Sequence, residues 1–230
     1  MKKLSIIIPC YNEAATITEL LARVARAETC GLEKEVIVVN DGSTDETGQL
    51  LEGLRGNGIK VIHHERNRGK GAAIRTALSQ VTGDIVLIQD ADLEYDPEEY
   101  PSLLQPMLTD HVEVVYGSRM LRRDNRQGAL PFLIGGRLLS LLTNLLYQAG
   151  ITDEPTGYKV FRASLLKSID LKCTGFEFCP EVTAKVCKRG CEIKEVSISY
   201  NPRSVSEGKK ISWRDFIVHV FILLKYRFSE

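Results

Sequence analysis

The chain carries no excess of charge of either sign: 30 Lys and Arg stand against 30 Asp and Glu in 230 residues. That balance excludes a bulk nucleic-acid binder and leaves only local basic clusters for anionic partners. The six cysteines, Cys10, Cys30, Cys173, Cys179, Cys187 and Cys191, contain no Cys-x-x-Cys pair. Cys187 and Cys191 would share a helix face, yet no histidine or second pair stands nearby at zinc spacing. Reduced thiols in a cytosolic protein are therefore expected. The N-terminal apolar run, Leu4 to Pro9, is too short for a signal peptide, and no cleavage site follows it. Internal repeats and low-complexity tracts are missing too. A chain of this length suits one large domain, or a domain with an appendage, and can bury a full core.

What is present is an alternation of short apolar runs and amphipathic stretches. Residues 4–9, Glu35 to Asn40, Ile59 to His63, 84–89 and Val112 to Tyr116 read as strands, the first stopped by Pro9. Helices are expected over 14–28, over 71–81 and from Pro97, with Ser43 or Thr44 capping the helix after the second strand. Strand–helix alternation implies right-handed crossovers and a mostly parallel sheet, an α/β fold. In such sheets ligands bind beyond the carboxyl ends of the strands.

The stretch Ile85-Val-Leu-Ile-Gln-Asp-Ala-Asp-Leu-Glu94 organises the rest. Its apolar start suits a central strand covered on both faces. Asp90, Asp92 and Glu94 follow at alternate positions. Carboxylates crowded there repel one another, and a hard divalent cation carrying a diphosphate would relieve the repulsion. Taken alone, Asp-x-Asp is a weak signal that fits a solvated acidic turn better than a metal site.

The second half differs in character. Residues 119–126 form a basic loop in which Arg122, Arg123 and Arg126 suit a lipid phosphate or simply solvent. From Leu130 to Gly150 the only charge is Arg137, and Arg137, Ser140, Asn144 and Gln148 form one polar stripe beside a broad apolar face. Two readings stay open: a core helix, or a helix lying in a membrane interface. A spanning helix is disfavoured, because Gly135, Gly136 and the polar stripe interrupt the run. Residues 151–161 give a polar turn and then a short strand, and helices from about Arg162 and over Glu177 to Arg189 and a strand over Glu192 to Tyr200 follow. A basic loop, Asn201 to Lys210, leads to an apolar helix, Trp213 to Phe228, suited to an interfacial anchor or to packing on the sheet.

Seven stretches in this order resemble the family 2 glycosyltransferases, and within them the polyprenyl-phosphate sugar synthases of the dolichol-phosphate mannose synthase kind. They are Pro9-Cys-Tyr-Asn-Glu13, Asn40-Asp-Gly-Ser-Thr-Asp45, Asn67-Arg-Gly-Lys-Gly71, Asp90-Ala-Asp-Leu-Glu94, Gly117-Ser-Arg119, Thr152-Asp-Glu-Pro-Thr-Gly157, and Arg203 with Glu207-Gly-Lys-Lys210. The resemblance implies a GT-A fold: a nucleotide-sugar-binding half over 1–118, an acceptor half with a closing loop over 119–211, and a C-terminal apolar helix over 212–230. It implies a nucleotide-binding set of Pro9, Tyr11, Glu13, Asp41, Lys70, Asp90, Arg203 and Lys209. Asp92 and Glu94, with Asp90 beside them, would hold Mg2+ or Mn2+ on the diphosphate, and Arg119 would face the acceptor phosphate.

Two departures stand out. Asn40 replaces the first Asp of the usual Asp-Asp-Gly-Ser, and Glu94 stands where the synthases often carry Gln. The implied activity is inverting, metal-dependent transfer of a hexose, mannose or glucose, from GDP-mannose or UDP-glucose to polyprenyl phosphate. It would occur at the cytoplasmic membrane face, with peripheral attachment. Asp92, Asp153, Arg119 and Arg203 are the expected catalytic residues. A polysaccharide or soluble acceptor would need a base, with Asp153 or Glu181 as the candidates. A non-catalytic nucleotide-sugar-binding protein is the alternative of another class, and the intact Asp92, Glu94, Arg203 and Lys209 stand against it.

Overall fold

The computed structural model describes residues 2–56, 58–125, 130–203 and 213–229. Seven strands form one sheet: β1 Lys3–Cys10, β2 Glu33–Asn40, β3 Ile59–His63, β4 Ile85–Ile88, β5 Val114–Ser118, β6 Lys159–Arg162 and β7 Ile193–Ser197. Their order is β3-β2-β1-β4-β6-β5-β7. Only β6 runs against its neighbours; the other pairings are parallel. Pro9 does not end β1, which pairs through Pro9 and Cys10 with Val39 and Asn40.

Alternation along the strands divides the core. Leu4, Ile6, Ile8, Val36 and Val38 pack on one face, and Ile7, Ile37 and Val39 on the other. Helices α1 Ile17–Arg26, α2 Thr47–Gly53 and α4 Tyr100–Thr109 flank the sheet with α3 Lys70–Leu78, α6 Ala163–Ser168 and α7 Phe178–Lys188. Helix α1 turns Ile17, Leu20, Leu21 and Val24 inward. Small residues bring α3 close to its neighbours: a Cβ on Gly71 would strike the Cys173 carbonyl. Ser43 and Thr44 do not cap α2. Asp45 accepts from the Thr47 N–H, while Ser43 Oγ accepts from Asn12 N–H and Thr44 N–H donates to the Asn12 side chain. The cap-forming residue types instead clamp the loop after β2 to the loop after β1.

Helices α5 Leu130–Tyr147 and α8 Trp213–Phe228 pack on each other and on α7. Helix α5 is inverted relative to an ordinary surface helix. The middle of its polar stripe turns inward, while Arg137 and Gln148 stay exposed: Ser140 accepts from the Glu154 N–H, and Asn144 bonds both the N–H and the C=O of Ile151. Ile134, Leu138, Leu141 and Leu145 face out, Leu145 being 78% exposed. Helix α8 likewise exposes Trp213, Ile217, Phe221, Leu224 and Phe228. No helix among the described residues is long and apolar enough to cross a membrane.

Candidate active site

Because β6 alone is reversed, every segment that carries a candidate residue leaves the sheet at the same edge. Tyr11 and Glu13 follow β1, Asp41 follows β2, Lys70 follows the loop after β3, and Asp90 to Glu94 follow β4. Arg119 follows β5 and Arg203 follows β7, while Gly157 precedes β6. One cavity of about 1280 Å³ runs along this edge. Its wall includes Pro9, Tyr11, Glu13, Asp41, Lys70, Asp90, Asp92, Glu94, Arg119 and Arg203 together with residues of α5 and α8, among them Ile134, Leu138 and His219.

The carboxylates sit in a tight ionic lattice. The Arg203 guanidinium donates two bonds of 3.0 Å to Glu13, one to each oxygen, and a third of 3.0 Å to Asp92. Glu94 accepts from the Tyr200 hydroxyl and from the Arg203 N–H. Lys70 pairs with Asp90. Burial, with Asp90 and Glu94 close by, pushes the Asp92 carboxyl up to about 7 despite Arg203. Three acids at one strand end are thus short of positive charge. Among the described residues no three His, Cys, Asp or Glu side chains gather to enclose a metal by themselves. The donor set fits a hard cation that takes one or two protein carboxylates and completes its shell with diphosphate oxygens and water.

Several residues serve position. Asp41 accepts from the Arg68 and Gly69 N–H groups and contacts His64, which holds the loop leading to Lys70. Gly69 has φ +93°, and a Cβ there would strike the Thr174 carbonyl. A Cβ on Gly157 would collide with the Asp90 carboxylate, so the Thr156–Gly157 turn can border the acids only as glycine.

The two acids considered as general bases are placed otherwise. Asp153 is buried behind Arg119 and off the cavity wall. Its two oxygens accept from Arg119 Nε, NH2 and backbone N–H at 2.7–2.9 Å. Glu181 is buried under α8, accepting from Lys185, Tyr226 and the N–H groups of Lys172 and Cys173. Both carboxylates are saturated by cations and donors, which corrects the expectation of a base at either position. Asp153 is instead the group that orients Arg119. Arg122 and Arg123 are exposed; Arg126 and Lys209 lie outside the described residues.

Other contributors carry little sequence signal. Tyr200 holds Glu94 and lies under the Arg119 guanidinium, 5.0 Å from ring centre to Cζ. Tyr95 accepts from the Gly157 N–H. Buried Gln89 accepts from Tyr100 and Tyr158 and donates to the Asp90 carbonyl, bracing the backbone of the acidic run. Only the adjacency of Gln89 and Tyr95 to the Asp-x-Asp-x-Glu run could have pointed to them.

A mostly parallel α/β sheet with carboxylates, a lysine and arginines at its ligand-binding edge defines a nucleotide-sugar-transferase type of fold. The family model described as glycosyl transferase family 2 matches residues 5–170, and the chain belongs to that family. It is 34% identical over 225 residues to a low-salt glycan biosynthesis hexosyltransferase of Haloferax volcanii, covering 96% of this chain and 53% of that protein. It is 27% identical over 233 residues to a dolichol-phosphate mannosyltransferase of Pyrococcus furiosus, covering 97% and 64%. The chain thus spans between about half and two thirds of the length of these two relatives. Glucosyl-3-phosphoglycerate synthase of Mycobacterium tuberculosis, solved with Mn2+, UDP and its product, shares the fold at a TM-score of 0.75 and 23% identity. That match covers 98% of this chain and 80% of the other.

Proposed function

We propose that the protein transfers a hexose, with inversion, from a nucleotide sugar to polyprenyl phosphate, working from the cytoplasmic face of a membrane to which it attaches peripherally. The single observation that carries this reading is the make-up of the cavity: an acidic and cationic end at the sheet edge, continuous with a wall formed by two helices whose leucines and aromatics face outward. The dolichol-phosphate mannosyltransferase of Pyrococcus furiosus and a dodecaprenyl-phosphate galacturonate synthase of Rhizobium johnstonii, each similar to this chain, support a lipid-phosphate acceptor.

The roles follow from the contacts. Pro9, Tyr11 and Asp41 border the nucleoside, and Lys70 stands where a diphosphate would lie. Asp92, with Asp90 or Glu94, would hold Mg2+ or Mn2+. When bound, the cation supplies Lewis-acid stabilisation of the departing nucleoside diphosphate. Arg203 is already aimed at Asp92, so it can neutralise the same growing charge. Arg119, locked by Asp153 and Tyr200, presents a fixed cation to the acceptor phosphate. A phosphate oxygen is ionised at neutral pH and needs no base, which agrees with the commitment of Asp153 and Glu181 to other donors. That same commitment counts against a saccharide hydroxyl as acceptor.

Transfer of labelled sugar into an organic-extractable product tests the reading. Purified protein would receive Mg2+ or Mn2+, undecaprenyl or dolichyl phosphate, and a panel of GDP- and UDP-sugars. Label in the lipid phase that disappears with EDTA is expected, and it would name the donor. Donor hydrolysis without lipid product would redirect the acceptor to a saccharide. No donor consumption and no effect of Asp92→Ala on donor affinity would favour a binding protein.

A further inference from the structure

One cavity residue belongs to none of these roles. His219 interrupts the apolar helix α8 between Val218 and Val220, and its ring lines the cavity while only 3% exposed. Neither Nδ1 nor Nε2 has a hydrogen-bond partner among the described residues. An imidazole buried without partners destabilises the fold relative to a leucine of similar volume. A ligand in the cavity would supply the bonds that the described residues do not.

The location narrows the partner. His219 sits against the backbone of Phe176, whose carbonyl favours a protonated ring without meeting hydrogen-bond geometry. The loop through Phe176 packs on the start of α3, where a Cβ on Gly69 or Gly71 would strike Thr174 or Cys173. Helix α3 begins with Lys70, paired to Asp90. His219 is thus linked through the Phe176 loop to the start of α3, and it lines the same cavity as Lys70, Asp90 and Asp92. Charge sorts the ligand class further. Burial lowers the affinity of the ring for a proton, and Lys159 acts in the same sense, while Asp215 and Glu177 oppose it. A neutral imidazole offers one donor and one acceptor, the complement of a hydroxyl. A phosphate is better met by the cations already present at Lys70, Arg119 and Arg203.

We propose that His219 hydrogen-bonds a hydroxyl of the hexose being transferred, so that α8, which also carries the exposed apolar face, takes part in choosing the sugar. The inference rests on the nucleotide-sugar reading above and adds a sugar-recognition residue to it.

Calorimetry on the full chain with Mg2+ separates the possibilities, using GDP, UDP, GDP-mannose and UDP-glucose. For wild type, the diphosphate and the matching nucleotide sugar should both bind. In His219→Leu the Kd for the diphosphate should stay within about twofold, while the Kd for the nucleotide sugar rises about tenfold, or 1.4 kcal/mol. His219→Gln, which keeps a donor and an acceptor, should recover most of that loss. His219→Leu should also melt at a higher temperature than wild type, the reverse of what a structural histidine would do. An unchanged nucleotide-sugar Kd in His219→Leu would overturn the proposal and leave the ring bonded to water alone. A loss confined to the KM for polyprenyl phosphate would overturn it in favour of the acceptor. If wild type binds neither diphosphate nor nucleotide sugar, the donor reading itself falls, and this inference with it.

Discussion

Helices α1 and α5 are both amphipathic, and they face opposite ways. Helix α1 hides Ile17, Leu20, Leu21 and Val24 against the sheet and shows its charged side to solvent. Helix α5 hides Leu139, Ser140 and Thr143 and half-buries Asn144, and its outward side carries Ile134, Leu138, Leu141 and Leu145. The first arrangement is what water alone selects. The second leaves exposed apolar surface that water disfavours, and on α5 and the adjoining α8 this surface forms stripes rather than scattered single residues. Helix α1 is packed as water selects, while the outer sides of α5 and α8 keep apolar side chains exposed. The acids and their cations gather at the edge of the sheet, whereas the exposed charges of α5 and α8 are basic: Arg137, Arg214, Lys225 and Arg227.

The largest expected effect lies in the polar half. Asp92→Ala should lower transfer by about 100- to 1000-fold, because it removes a carboxylate proposed to hold the cation that stabilises the departing diphosphate. Because the substitution also removes a crowded carboxylate, the metal-free protein should melt no lower than wild type. Wild-type turnover in that variant would remove Asp92 from the site.

Next comes the helix comparison itself. Leu20→Ala in α1 should cost about 2–5 kcal/mol of stability, measured by denaturant unfolding. Leu141→Ser with Leu145→Ser in α5 should change stability by no more than about 0.5 kcal/mol per site. The same double variant should weaken binding to anionic liposomes more than about tenfold, since burying each leucine contributes roughly 1.5–3 kcal/mol. A double variant that unfolds, or binds liposomes as wild type does, would break the contrast between the two helices.

Asp153→Asn sharpens the assignment of Arg119. Transfer should fall by about 100-fold through loss of a fixed guanidinium position. The pH profile should keep its shape, whereas loss of a limb of the profile would restore Asp153 as a base.

The smallest effect concerns two acids in the two halves. Burial works against ionisation of Glu35, but bonds from Ser5 and Thr82 and the charge of Lys3 win, holding its carboxyl down at about 2. Its stabilisation is complete above pH 4.5 and disappears as pH falls toward 2. Glu154 is pushed up to about 7 by burial, and its Oε2 has no partner among the described residues. Its protonated form is favoured by folding, so this group lowers stability as pH rises from 4.5 through 7. Glu154→Gln should therefore raise the melting temperature at pH 8, by about 2–4 °C for each kcal/mol relieved. Glu35→Gln should lower it at pH 7 and flatten the acid limb. A Glu154→Gln melting point unchanged at pH 8 would show the acid to be stably charged there.

Much of the fold was legible because the sheet is covered on both faces. Strands such as Ile85–Ile88 then read as uninterrupted apolar runs. The ordered motifs also pointed to the loops after β1, β2 and β3, the acidic run and Arg119, which the fold brings to one edge of the sheet. The start of α2 was misplaced, since Ser43 and Thr44 are cap formers by type yet bond Asn12 across the loops. The Glu13–Arg203 pair joins positions 190 apart, a distance at which no periodicity carries information. Asp153 resembled a base in the sequence because a carboxylate's availability depends on what donates to it, and only the fold brings Arg119 there.

By itself, the sequence determined the strand–helix alternation, the acidic run after β4 and the family, because short-range patterns and local residue chemistry specify these. It also determined that α5 has a polar stripe and an apolar face. Which face turns inward was decided only by the tertiary structure. Helical periodicity defines two sides of a cylinder but not its neighbours. Asn144 and Ser140 turn inward to bond the backbone of Ile151 and Glu154, and with them in place Ile134, Leu138, Leu141 and Leu145 face out.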